Sequence, residues 1–164
     1  MGLSDRHRRF LLVEQGLGPA VFNCAINGAI AWALFRSAAD VPIWGEQSVG
    51  VDLLATALIL PLLTCVIVSA LVGRQVRSEK VPPLASGQLP HSSWFKRSVL
   101  KRALLLATAG VLFGAAPIVW ALSLGQAQAF TVPAFVVFKA LWSAMLASVV
   151  TPIAGWWALA SASR

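Results

Sequence analysis

Charge is scarce in this 164-residue chain. Asp, Glu, Lys and Arg make up 12% of it, about half the ~25% of an ordinary soluble domain. It has six acids, two histidines, two cysteines and no tyrosine. Each shortage removes a class of chemistry. Neither His7 nor His91 lies in an apolar run and no HExxH occurs, so that zinc-site pattern is excluded. His91 reads as a solvated loop residue. Cys24 and Cys65 form neither a CxxC pair nor a metal-ligand spacing, and both read as small core residues. No apolar run holds two carboxylates. Asp5, Asp40 and Glu46 fall in the N-terminal arm or an outer loop, and Glu79 falls in the central loop. This inventory leads us to expect no enzymatic activity, no metal and no cofactor.

What the chain has in excess is apolar sequence: 58% of residues are hydrophobic and the mean hydropathy is +0.77. A bilayer core takes roughly 20 predominantly apolar residues per helix. Four such runs fit, at about Leu11–Phe35, Val49–Gly73, Val99–Leu124 and Pro133–Ala160. The expected fold is all-α: a polytopic membrane protein with four transmembrane helices in a bundle. Residues 1–10 form a basic arm, 11–73 a first hairpin, 74–98 a basic loop and 99–164 a second hairpin.

The net charge of +7 is informative through its placement. Arg6, Arg8 and Arg9 precede the first run. Arg74, Arg77, Lys80, Lys96, Arg97, Lys101 and Arg102 cluster between the second and third. The loop after the first run offsets Arg36 with Asp40 and Glu46, and Gly125–Gln128 has no charge. Basic loops stay cytoplasmic. Both termini and the central loop are therefore expected inside, in a cell inner (plasma) membrane. The basic excess reads as a topology signal and a contact for anionic lipids, and nucleic acid is not expected as a partner. The early run is too long for a signal peptide, so no cleavage is expected.

Within the runs, polar residues stand out. Asn23 and Asn27 share one face of run one with Gly16, Ala20 and Gly28 nearby. Small and amide residues mark the side that meets other helices. Asp52 and Thr56 are also four apart, near the outer end of run two. Run three holds Gly110 and Gly114, a GxxxG that within a four-helix chain is expected to pack an internal neighbour. Each run carries one proline: Pro19, Pro61, Pro117 and Pro152. Trp44 suits one membrane boundary, and Trp94 and Phe95 the other.

Run four contains Lys139 well inside its apolar part. A cation there needs a partner. A tandem relation between the hairpins suggests one. Shifted by 88, Leu17, Ile30, Trp32, Ala33 and Leu34 meet Leu105, Ile118, Trp120, Ala121 and Leu122. Shifted by 87, Leu54, Ala57 and Thr64 meet Leu141, Ala144 and Thr151, and Thr56 meets Ser143. The same alignment sets Asp52 opposite Lys139 and Glu14 opposite Arg102. A twofold-related pair of hairpins would bring Asp52 and Lys139 together with Asn23, Asn27, Thr56 and Ser143, and would bring Glu14 to Arg102 or Lys101 at the inner surface. The polar cluster reads either as a structural ion pair or as a site for an ion, proton or polar substrate. Two functional classes follow: a transporter or channel subunit, which in so narrow a bundle would need a homo-oligomer, or a non-catalytic scaffold, assembly factor or accessory subunit.

Overall fold

The computed structural model describes residues 4–85, 98–125 and 128–163. Four helices dominate it: α1 (Asp5–Phe35), α2 (Val49–Arg77), α3 (Val99–Leu124) and α4 (Val132–Ala162). At about 1.5 Å per residue even the shortest, with 26 residues, spans about 39 Å, more than the ~30 Å of a bilayer core. All four are apolar enough to cross it, and the chain is a multi-pass helical membrane protein.

Local chemistry sets the ends. Ser48 caps α2 by accepting from Val51 N at 3.3 Å, and Ser98 caps α3 by accepting from Lys101 N at 3.4 Å. The helix α2 closes with bonds from Glu79 N to Val76 O and from Lys80 N to Gln75 O, with Glu79 at φ 59°. This is the left-handed helix stop usually given to glycine. Residues 5–10 of the N-terminal arm are already helical, capped by Ser4 on His7 N, so α1 begins earlier than its apolar run.

The prolines act in two ways. In α1 and α3 the helix widens to i→i+5 bonding just before Pro19 and Pro117: Gly18 N bonds Val13 O, and Ala116 N bonds Val111 O. The wider turn avoids the clash between a proline ring and the carbonyl four residues back. Pro61 and Pro152 instead sit inside unbroken α-helix.

Central in the packing is α4, which lies against both α1 and α2, while α3 packs mainly on α2. Helices α1 and α2 pack on α4 rather than on each other, and a lateral groove separates them. The α1–α4 approach is close because Gly28 faces Ala140 and Gly155 makes room for Gln15.

At one end, here the hairpin end, the two short loops meet. Strand β1 (Asp40–Pro42) pairs antiparallel with β2 (Ala129–Thr131), with Val41 opposite Phe130. Trp44 Nε1 donates to Ser123 Oγ at 2.8 Å. Among the described residues, these six strand residues are the one departure from the all-α expectation. Pairing satisfies loop backbone groups beside an apolar layer, where Phe35 and Phe135 cross edge to face at 5.0 Å. At the opposite, terminal end, His7 Nε2 donates to Pro82 O at 2.9 Å and Arg6 Nη2 to Lys80 O at 2.8 Å. Ser163 Oγ accepts from Leu84 N at 2.8 Å. Both chain ends are thus tied to the start of the central loop. The expected positions of His91, Trp94, Phe95, Lys96 and Arg97 lie outside the described residues.

Candidate functional site

Lys139 lies two turns into α4 and is 2% exposed. Side chains on a helix lean toward its N-terminus, so this ammonium reaches toward the hairpin end. There it meets Asp52, in the first turn of α2, with Nζ 2.5 Å from Oδ1. The α2 N-terminus carries a partial positive charge that also favours the carboxylate. This is the one ion pair among the described residues. Asp52 is 11% exposed, and its second oxygen, Oδ2, is buried without a partner. Lys139 has three N–H donors, one of them given to Asp52.

The remaining cluster members take different parts. Ser143 Oγ is within hydrogen-bond distance of Asn23 O (3.2 Å) and Ala140 O (2.9 Å), linking α4 to α1. The asparagine amides turn inward to their own helix: Asn23 Nδ2 donates to Pro19 O at 2.9 Å and Asn27 Nδ2 to Asn23 O at 3.1 Å. Asn27 is buried; Asn23 and Thr56 are half-buried. Asp52, Thr56, Lys139, Asn23 and Asn27 all border the α1–α2 groove, whereas Ser143 is fully buried behind it.

That groove encloses about 730 Å³. It runs along α2 from Asp52 to Leu71, about 28 Å by helical rise. Phe22, Ile26 and Ile30 of α1 form one wall and Ile59, Leu63 and Ile67 of α2 the other. The floor is α4. Its charged groups are confined to the ends: the Asp52–Lys139 pair at one and Glu14 at the other.

The inner-surface contact expected between Glu14 and Arg102 or Lys101 does not form. Arg102 is buried and donates from Nη1 to Trp157 O at 3.0 Å and to Ser161 Oγ at 2.8 Å. Glu14 and Lys101 are exposed. The reason is helix order. Glu14 is on α1 and Arg102 on α3, and α4 with α2 stands between those helices. The Arg102 charge is met by Trp157 O and Ser161 Oγ near the C-terminus of α4, the negative end of a helix dipole. Of the two charge pairs that the alignment set opposite each other, Asp52–Lys139 forms and Glu14–Arg102 does not, and Pro19 and Pro117 do not correspond under the same shift.

Thr151 is the groove residue that sequence reading passed over as a site. It is 1% exposed, with Oγ1 buried and unpartnered. The signal was there: Lys139, Ser143, Ala147 and Thr151 recur every four residues and all are buried. An unpaired buried hydroxyl costs about 1–3 kcal/mol. Thr151→Val, of nearly equal shape, is expected to raise the unfolding free energy in detergent by about 1 kcal/mol, read from thermal and denaturant unfolding. A loss of stability would show that the hydroxyl has a partner.

No group of three His, Cys, Asp or Glu side chains that could hold a metal occurs among the described residues. Comparison with protein-family models, with characterised proteins and with solved structures finds no match to this chain.

Proposed function

We propose that this chain is a non-enzymatic membrane transporter subunit that admits an amphiphilic molecule sideways from the bilayer into the α1–α2 groove. The observation that carries this reading is the groove itself, about 28 Å of apolar wall ending on a buried ion pair. A water-filled ion path would be polar along its length. This one is uncharged and mainly apolar between its ends, with Asn23, Asn27, Thr56, Thr64 and Thr151 as its scattered polar side chains, which suits an acyl or other hydrocarbon tail with its polar part at Asp52 and Lys139. In the proposed setting, the termini and basic loop lie on the cytoplasmic side of the inner membrane. Anionic lipid heads there neutralise Arg74, Arg77 and Lys80.

The test is movement of a fluorescent-tailed phospholipid between leaflets of proteoliposomes. The parent is expected to exceed protein-free vesicles. Ala55→Trp, an exposed groove position on α2, is expected to abolish the excess by filling the groove. A parent no faster than empty vesicles, or an Ala55→Trp variant as fast as the parent, would refute transport through this groove.

A second reading, a scaffold for other membrane proteins, is favoured by a different face. Phe113 is 82% exposed beside a second apolar groove of about 550 Å³ between α3 and α4. A homo-oligomer would bury the same face.

A further inference from the structure

We infer that the polar end of the α1–α2 groove selects a bilayer lipid with a zwitterionic headgroup whose cationic end bears N–H donors. This inference rests on the groove reading above and adds the chemistry of the occupant.

The ion pair leaves part of its hydrogen-bonding capacity unused. Lys139 Nζ gives one donor to Asp52 Oδ1 and retains two. Asp52 Oδ2 has no partner. Rotation about the aspartate Cβ–Cγ bond is broad and two-fold, so either carboxylate oxygen can turn to the groove that Asp52 borders. The site therefore offers one acceptor from a carboxylate beside two donors from an ammonium. The matching ligand offers the reverse, N⁺–H donors beside an anionic oxygen, at the spacing of adjacent charges.

Net charge sharpens the choice. Asp52 and Lys139 cancel, and the other charged residue on the groove is Glu14 at the far end. A purely anionic head would face Asp52 without compensation. A purely cationic head would face Lys139. A head of zero net charge that carries both signs meets each partner with its opposite. A quaternary ammonium is also zwitterionic when joined to phosphate, but it has no N–H for Asp52. The apolar walls supply the rest of the selection: Ile59, Leu63 and Ile67 face Phe22, Ile26 and Ile30 over the length that a hydrocarbon tail fills. The occupant is thus a membrane lipid, held by tail and head together.

The experiment reconstitutes the full chain into vesicles containing equimolar dioleoyl lipids with four heads: phosphoethanolamine, phosphocholine, phosphoglycerol and trimethylammonium-propane. The protein is extracted in mild detergent, and co-purifying lipid is quantified by mass spectrometry. Ethanolamine lipid is expected to be enriched about tenfold over choline lipid, the worth of one charge-assisted hydrogen bond. The preference is expected to vanish in Asp52→Asn/Lys139→Met and all retention in Ala55→Trp. Retention with no preference among heads would overturn the inference while leaving the groove reading standing. Enrichment of the glycerol lipid that survives the double change would assign binding to the basic terminal end and overturn it too. No lipid retained by the parent, with leaflet exchange no faster than in empty vesicles, would remove the groove reading itself.

Discussion

Asp52→Asn is expected to destabilise the protein by about 3–5 kcal/mol, because it leaves a buried cation with a neutral partner. Lys139 is 2% exposed and has this one ionic partner. The reverse truncation, Lys139→Met, is expected to cost less. Asp52 keeps the first turn of α2, where the helix N-terminus favours its charge, and its side chain is the more exposed of the two. The double change Asp52→Asn/Lys139→Met is expected to recover most of the larger loss, since replacing both members of a buried pair is often near neutral. Thermal unfolding of all four proteins in the same lipid would give the coupling energy. Strictly additive single effects would show that the two charges do not depend on each other. The ligand hypothesis adds a condition: excess ethanolamine lipid should raise the parent midpoint and leave the double variant unmoved, because a ligand stabilises only the state that binds it.

The parts of the fold that could be read from the residues are those set by composition along one dimension. The run limits Val49 and Val99–Leu124 coincide with helix limits, since apolar length and a preceding serine cap define both. The partner of Lys139 was legible for a similar reason. Few charges lie within the runs, and a buried lysine excludes most alternatives. Depth along a helix is readable; order around the bundle is not. Glu14 and Arg102 share a depth by sequence alignment, yet they belong to helices that the packing separates. The groove escaped for the same reason, since it exists only because α1 and α2 both choose α4. The strand pair and the burial of His7 depend on which loop lies over which helix end, and no local pattern marks them.

Gly110 is expected to tolerate no side chain of size, and Gly114 to tolerate one. A methyl group at Gly110 would lie 2.7 Å from Ala57 O and 3.1 Å from Pro61 Cγ, both on α2. The first contact is with backbone, which a rotamer change cannot relieve. Ala57 O is four residues before Pro61, so it lacks the helical N–H that would otherwise bond it. A neighbouring helix pressing close at a freed carbonyl is one way membrane proteins accommodate an interior proline. Gly110 supplies that approach. The GxxxG therefore packs within the chain at its first glycine. Gly114 differs: its added methyl would meet Leu146 Cδ1 at 3.5 Å, an ordinary contact. Gly110→Ala is expected to cost about 1–3 kcal/mol of packing strain, partly offset by the ~1 kcal/mol that alanine gains over glycine in a helix. Gly110→Leu exceeds any such offset and is expected to separate α3 from α2 or to abolish folding. Gly114→Ala is expected to be neutral or stabilising by up to ~1 kcal/mol. Unfolding midpoints at two protein concentrations decide the matter. If both alanine variants lose stability equally, and more so on dilution, the glycines form a seam between chains. If only Gly110→Ala loses stability, and by the same amount at both concentrations, the seam is internal and the α3–α4 face beyond it is left free to meet another protein.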